Sequence, residues 1–265
     1  MKKIFFLFLL LFSISIFAQK TDSTSASAYL KSYFTDSRDI IIAPFRWNKK
    51  QWLTFGSISA STFLIHLYDA DINNYFQSKQ TKLGEDISKY GLEPFGSGVY
   101  SMSGMLLFYT QGIIWKNQRS KKVALLGVKA YLLSGLFAQV PKFLINRHRP
   151  YHDNPSNPNL FEGPSLDVFH SFPSGHTTSA FAVASVIANE YSETIWVPIV
   201  SYSLASMVGV SRMYDNKHWA SDILFGAAFG WSIGKLVQKS RYWHIQMLPY
   251  SNGETTGLLI RYSLK

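Results

Sequence analysis

Val123-Ala-Leu-Leu-Gly-Val-Lys-Ala-Tyr-Leu-Leu-Ser-Gly-Leu-Phe-Ala-Gln-Val140 is the stretch that decides the fold class. It is apolar over helical length, its β-branched residues are scattered and no apolar–polar alternation is sustained, so it predicts a helix. Five further stretches of this kind surround it, near Trp52–Leu67, Val99–Trp115, Ser179–Asn189, Ile195–Val210 and Ile223–Val237. Gly and Pro fall mostly between them. The expectation is an all-α fold, a bundle of about six helices with a site at one end, over residues 46–241. The tail, 242–265, reads differently. Ile245–Tyr250 and Gly257–Leu264 flank Ser251-Asn252-Gly253, and Asn-Gly is a strong hairpin turn. A short C-terminal β-hairpin is expected there.

The N-terminus is set apart from the bundle. Lys2 and Lys3 precede an apolar run, Ile4 to Phe17, and Ala18 is followed by Gln19 and a polar stretch. Residues 1–18 therefore read as a secretory signal peptide cleaved after Ala18. Ile16, at the position where a small residue is usual, leaves an uncleaved anchor as the alternative. Either reading exports the chain to the cell envelope. Residues 19–45 read as a polar, Ser-rich linker with one short amphipathic stretch.

Composition narrows the chemistry. The 265 residues contain no cysteine, which excludes disulfides, thiolate zinc sites, iron–sulfur clusters and a cysteine nucleophile. With 26 Lys+Arg against 16 Asp+Glu the net charge is +10, and it falls to +8 without Lys2 and Lys3. That balance favours phosphates or acidic lipid headgroups, and no nucleic-acid partner is expected. Whether the helices cross a bilayer is left open by two conflicting signals. Mean hydropathy is only +0.01 for the chain, and roughly −0.1 without the signal, low for six spans. The basic groups Lys116, Arg119, Lys121 and Lys122, and Lys235, Lys239 and Arg241, would be cytoplasmic, placing 141–178 and 211–222 outside. Counting spans from a cleaved signal puts 141–178 inside. Both hold only if an early segment does not span, or if the bundle is soluble or interfacial.

Three clusters share the handling of an oxyanion. In Lys142-Phe-Leu-Ile-Asn-Arg-His-Arg149-Pro150 the two cations are seven residues apart, two helical turns, and are expected to point into one site. The guanidinium fork matches two phosphate oxygens, and lysine acts as a point charge. In Phe172-Pro173-Ser174-Gly175-His176, Ser174 is placed as an N-cap and Gly175 allows close backbone approach at a helix N-terminus, a ready anion site. His176 there is suited to acid–base work. In Ser211-Arg212-Met-Tyr-Asp-Asn-Lys-His218-Trp-Ala-Ser-Asp222, His218 and Asp222 are four apart and are expected on one helix face, the carboxylate orienting an imidazole that can act as a nucleophile.

Together the three clusters resemble the signatures of the type-2 phosphatidic acid phosphatase and vanadium haloperoxidase superfamily: Lys-x6-Arg-Pro, Pro-Ser-Gly-His and Ser-Arg-x5-His-x3-Asp. All three match, over 142–222, and the surrounding helices extend the resemblance to roughly 50–240. The resemblance implies that His218 attacks phosphorus and becomes a phosphohistidine, with Asp222 holding its imidazole. It implies that His176 protonates the leaving oxygen and then activates water. Lys142, Arg149, Arg212, Ser174 and the Gly175 N–H would bind the phosphate oxygens. No metal or other cofactor is expected; vanadate would enter only if the chain were a haloperoxidase. The implied substrate is a phosphorylated lipid or small phosphate ester, with phosphatidic acid, polyprenyl diphosphate, lipid A phosphate and phosphatidylglycerophosphate as candidates. The implied place is the envelope, membrane-embedded or membrane-associated, with the active site facing the periplasm. A soluble periplasmic nonspecific acid phosphatase is the nearest alternative. A non-enzymatic lipid-binding protein and a Ser174-based esterase are further ones, the latter weakened because no Gly-x-Ser-x-Gly elbow surrounds Ser174.

The remaining polar residues get plainer expectations. Pro150 separates His148 from His152 and no acidic set completes a metal site with them. His170 is placed at the pocket mouth, Asp153 and Asp167 at the substrate entry, and His66 and His244 at an interface or in packing. Arg147 and Lys217, inside the motifs but off their fixed positions, are expected to be solvated.

Overall fold

The computed structural model describes residues 26–164 and 170–239, and the backbone of two strands at 245–251 and 256–262. The 1–18 segment, Asp167, His244 and the Asn252-Gly253 turn lie outside the described residues. Two compact units are distinguished, one within Thr35–Ser240 and the other drawn from the segments before and after it. In the tail, β1 (Ile245–Ser251) and β2 (Thr256–Tyr262) pair antiparallel, with Ile245 opposite Tyr262 and Ser251 opposite Thr256.

Among the described residues the larger unit is mostly helix. Its long elements are α2 (Lys49–His66), α6 (Val99–Ile114), α7 (Gln118–Phe137), α9 (Gly175–Glu190), α10 (Trp196–Tyr214) and α11 (Ala220–Gln238). Each overlaps one of the six apolar stretches. Shorter pieces lie between them: α3 (Asp69–Ser78), α4 (Lys82–Asp86), a π-helical turn at Ile87–Leu92, α5 (Glu93–Gly96) and α8 (Gln139–Ile145). Of the segment 19–45, read as linker, the described residues differ from expectation, for α1 runs from Ala26 to Ile42. Its Asp36 explains the difference. The carboxylate reaches Lys129 Nζ at 2.7 Å in the middle of α7, with both side chains buried, and a buried charge is tolerated only when paired.

α9 is the central helix, and its sequence is suited to that place. Thr177, Thr178, Ser179, Ala180, Ala182, Ala184 and Ser185 are all small and buried. On α11, Gly226, Gly230 and Gly234 recur every fourth residue and so share one face. That face meets α9 backbone to backbone. A Cβ on Gly230 would lie 2.0 Å from the Thr178 carbonyl oxygen, and one on Gly234 2.5 Å from that of Ala182. The approach sets the N-termini of α9 and α11 side by side, where the Ser174 N–H donates to the Asp222 carbonyl at 3.1 Å.

The surface is unusually apolar for so polar a core. Leu106, Leu107, Ile113, Leu136, Val200 and Val210 are among many exposed large apolar side chains on α6, α7 and α10. Among the described residues one helical segment, Gln118–Ile145, is long and apolar enough to cross a membrane by length and composition, with half of its most apolar window buried.

The close α9–α11 contact yields a stability prediction. Gly230→Ala forces backbone apart and should cost about 1–3 kcal/mol, lowering the melting temperature by about 2–4 °C per kcal/mol. Gly104→Ala, where a Cβ meets nothing within 4 Å, should leave the melting temperature unchanged or slightly raised. Equal melting of Gly230→Ala and the parent chain would contradict the packing.

Candidate active site

Lys142 sits on α8, buried, and its ammonium donates to the carbonyls of His170 at 2.9 Å and Pro173 at 2.7 Å. One of its three protons is left for an anion. The expected shared helix with Arg149 is not formed. α8 ends at Ile145 because Asn146 takes a left-handed conformation, φ 41°, which asparagine tolerates better than most residues. The chain then runs extended, with a bridge between Arg147 and Phe161. Arg149 reaches the site along this segment, and its charge is felt at Lys142, His170, His176 and His218.

Ser174 is the residue before α9, as expected of an N-cap, yet its side chain makes no capping bond to the backbone. Its Oγ accepts from Thr177 Oγ1 at 2.9 Å instead. A Cβ on Gly175 would be 3.7 Å from Lys142 Cε, so the lysine stem lies beside the N-terminus of α9. The first N–H groups of a helix have no intrahelical acceptor and carry the positive dipole end. His176 follows in the first turn. Its Nε2 is shielded from solvent and has no hydrogen-bond partner. Burial, and then Arg212, His218, Arg149 and Lys142, push its pKa down to about 3.

Arg212 is buried near the end of α10, with Nη2 2.6 Å from Asp215 Oδ2 and Nε donating to Ser211 Oγ at 3.2 Å. Its carbonyl accepts from the N–H groups of Lys217 and His218, at 2.9 and 3.3 Å, fixing the turn that follows. His218 lies in that turn, ahead of α11, so His218 and Asp222 do not share a helix face as expected. They meet because Asp222, in the first turn of α11, folds back to accept the Trp219 N–H at 2.9 Å. His218 Nδ1 is then 3.7 Å from Asp222 Oδ2 and 3.5 Å from Ser171 Oγ. The carboxylate contact is long for a hydrogen bond. Burial pushes the His218 pKa down to about 4, against the opposing effect of Asp222.

Arg147 overturns its expected solvation. Its side chain is 1% exposed and its guanidinium joins two carboxylates, with Nη1 2.7 Å from Asp222 Oδ1 and Nη2 2.8 Å from Asp69 Oδ2. Nη1 also donates to Ser221 Oγ at 2.8 Å, and Nε to the Pro158 carbonyl at 3.0 Å. His66 packs into the same network, its Nδ1 2.9 Å from Arg147 Nη2. Ser171 Oγ donates to Asp222 Oδ2 at 2.5 Å. Sequence reading missed Arg147 and Ser171 as partners of Asp222, and Asp69 as the second carboxylate on Arg147, and their separation along the chain hides the contacts. Lys217 is exposed, over the Tyr151 ring at 4.7 Å. His148 places Nδ1 3.0 Å from Asp153 and Nε2 3.0 Å from Glu162, so Asp153 is engaged by His148.

Fold and site together define a class: a helical bundle in which three separated motifs converge on the N-terminus of one central helix. The comparisons agree. The chain belongs to the PAP2 superfamily, whose sequence model matches residues 101–246. It is 30% identical over 203 residues to a lipid A 1-phosphatase of Rhizobium johnstonii, covering 71% of this chain and 78% of that one. It is 47% identical over 74 residues to a lipid A 1-phosphatase of Porphyromonas gingivalis, a match covering 28% of this chain and only 17% of that protein. The crystal structure of a transmembrane PAP2 type phosphatidylglycerolphosphate phosphatase from Bacillus subtilis aligns with a TM-score of 0.53 at 19% identity, over 69% of this chain and 92% of that one.

Two measurements check the site. Arg147→Ala leaves Asp69 and Asp222 buried without their partner and should destabilise the fold by about 3–5 kcal/mol in denaturant titration; a loss under about 1 kcal/mol, as for an exposed cation, would contradict the network. In an NMR titration without added phosphate, the His218 ring should stay neutral down to about pH 4 and gain its proton only below that. A midpoint at or above the ordinary 6.5 would contradict it.

Proposed function

We propose that this protein is a metal-independent phosphatase that hydrolyses phosphomonoester or diphosphate groups of lipids through a phosphohistidine. The observation that carries the reading is the placement of His218. Its Nδ1 faces Asp222 and Ser171, leaving Nε2 for an electrophile, and the depressed pKa keeps that nitrogen unprotonated at neutral pH. In the first step Nε2 attacks phosphorus in line, the P–N bond forms and the P–O bond to the leaving group breaks. His176 gives its proton to the departing oxygen. In the second step His176 takes a proton from water, the oxygen attacks phosphorus, the P–N bond breaks and inorganic phosphate leaves.

His176 is neutral on its own, because burial and then the charges of Arg212, Arg149 and Lys142 disfavour its proton. A bound phosphoryl group offsets those charges and restores the affinity for a proton that an acid catalyst needs. Lys142, Arg149 and Arg212, with Ser174 and the Gly175 N–H, neutralise the equatorial oxygens. Phosphoryl transfer asks mainly for positioning and charge stabilisation, and these groups supply both without a metal step.

The lipid part of the proposal is supported by the exposed apolar side chains of α6, α7 and α10, a distribution suited to acyl chains. It is supported also by the lipid A 1-phosphatase relatives. The low mean hydropathy is consistent with it, since many serine, threonine and motif side chains are buried. We place the enzyme in the envelope, exported and held at the membrane, with its active site facing the periplasm.

The test is phosphate release from a panel of lipid and water-soluble phosphate esters with chelator present. Lipid substrates should be preferred, and the chelator should change nothing. His218→Ala should abolish turnover and Ser174→Ala should leave measurable activity. The reverse pattern would favour a serine-based mechanism, and release of the protein by osmotic shock without detergent would contradict membrane association.

A further inference from the structure

Glu93 lies outside the three motifs, yet its carboxylate enters their site. It opens α5, directly after the π-helical turn Ile87–Leu92. This short wall is fixed on several sides. Ser88 Oγ donates to the Ser211 carbonyl at 3.3 Å, and Ser101 Oγ to that of Phe95 at 2.7 Å. Tyr131 OH donates to the Gly96 carbonyl at 3.4 Å. Gly96 is pressed against the imidazole of His176, where a Cβ would lie 2.6 Å from His176 Cβ and 2.7 Å from Cδ2. The wall therefore cannot drift away from the motifs without carrying its contacts along.

From this fixed backbone Glu93 reaches two motif residues. Oε2 is 3.7 Å from Arg212 Nη1, and Oε1 is 4.0 Å from His176 Nε2. The other side of the Arg212 fork is committed to Asp215 and Ser211, so Nη1 is the edge left for an anion, and Glu93 faces that edge. Its side chain is 40% exposed, which places it at the mouth and free to swing.

We propose that Glu93 is the resident anion of the phosphate site: it balances Arg212 between turnovers, yields to the phosphoryl group of a substrate, and returns to help expel inorganic phosphate. The inference rests on the phosphate-binding reading above. Three cations and a helix N-terminus would hold a free phosphate dianion tightly, and slow release would limit turnover. A carboxylate 3.7 Å from one of those cations, Arg212, opposes any anion bound beside it. A lipid substrate offsets that opposition with contacts made by the rest of the molecule, and inorganic phosphate has none to offer. Glu93 thus weakens both anions, and only the substrate has other contacts that keep it bound.

The experiment measures inhibition constants of inorganic phosphate and orthovanadate for the full-length protein and its Glu93→Gln, Glu93→Ala and Glu93→Asp variants, at low and high salt. Glu93→Gln and Glu93→Ala should each bind both anions about fivefold or more tightly at low salt, with the gain shrinking as salt screens it. Glu93→Asp, which keeps the charge, should stay within about twofold of the parent. Constants that are unchanged or weaker in both neutral variants overturn the proposal while leaving the phosphate site intact. If the parent protein itself is not inhibited by either anion, the phosphate-binding reading fails, and this inference with it.

Discussion

The guanidinium of Arg147, buried between Asp69 and Asp222, is the constraint on which the site depends. It joins three parts of the chain: the start of α3, the segment after α8, and the first turn of α11. Ser221 completes the joint, its N–H donating to Asp69 Oδ1 at 3.0 Å and its hydroxyl to Oδ2 at 2.5 Å. With Arg147, Ser171 and the Trp219 N–H holding its two oxygens, Asp222 has one orientation, and that orientation faces His218. A buried ionic network of this kind is costly to desolvate and adds little net stability, but it is severely penalised when one member is lost. Its contribution is definition of geometry, which a reaction governed by positioning requires.

The second constraint is steric. Threonine, serine and alanine on α9 and the Gly226–Gly230–Gly234 face of α11 let two backbones touch, and this contact brings Ser174 to Asp222. Small, polar residues therefore share the centre of the bundle with Val123, Leu126, Val186, Val208 and Ile233, while many other leucine, isoleucine and valine side chains lie on its outside. A sum over the whole chain averages the two, which is why mean hydropathy under-reports the apolar surface.

Much of this was legible in the sequence, and the failures have specific causes. The six apolar stretches locate α2, α6, α7, α9, α10 and α11 because helical periodicity is local, and they miss α1. The motif residues were identified by type and spacing, and Lys142, Ser174, Arg212, His218 and Asp222 do gather around the start of α9. Their connections were misread where a helix was assumed. Asn146 ends α8 between Lys142 and Arg149, and α11 begins after His218, at Ala220. Arg147 looked like a solvated neighbour of Arg149 because its partners lie 78 and 75 residues away. Glu93 carried no signal at all, since nothing in its short surrounding helix announces that Gly96 rests on His176. The glycines at 226, 230 and 234 were readable as a close-packing face and were passed over. His66, expected in packing or at an interface, is packed into the Arg147 network.

The central claim is that the His218 imidazole becomes covalently linked to phosphorus. Rapid quench of the enzyme with a phosphorus-labelled lipid substrate, followed by peptide mass spectrometry under alkaline conditions that preserve phosphohistidine, tests it most directly. The account predicts label on residue 218 at early times, decaying as free phosphate appears. Label on Ser174, or turnover with no labelled protein at any time, would contradict it.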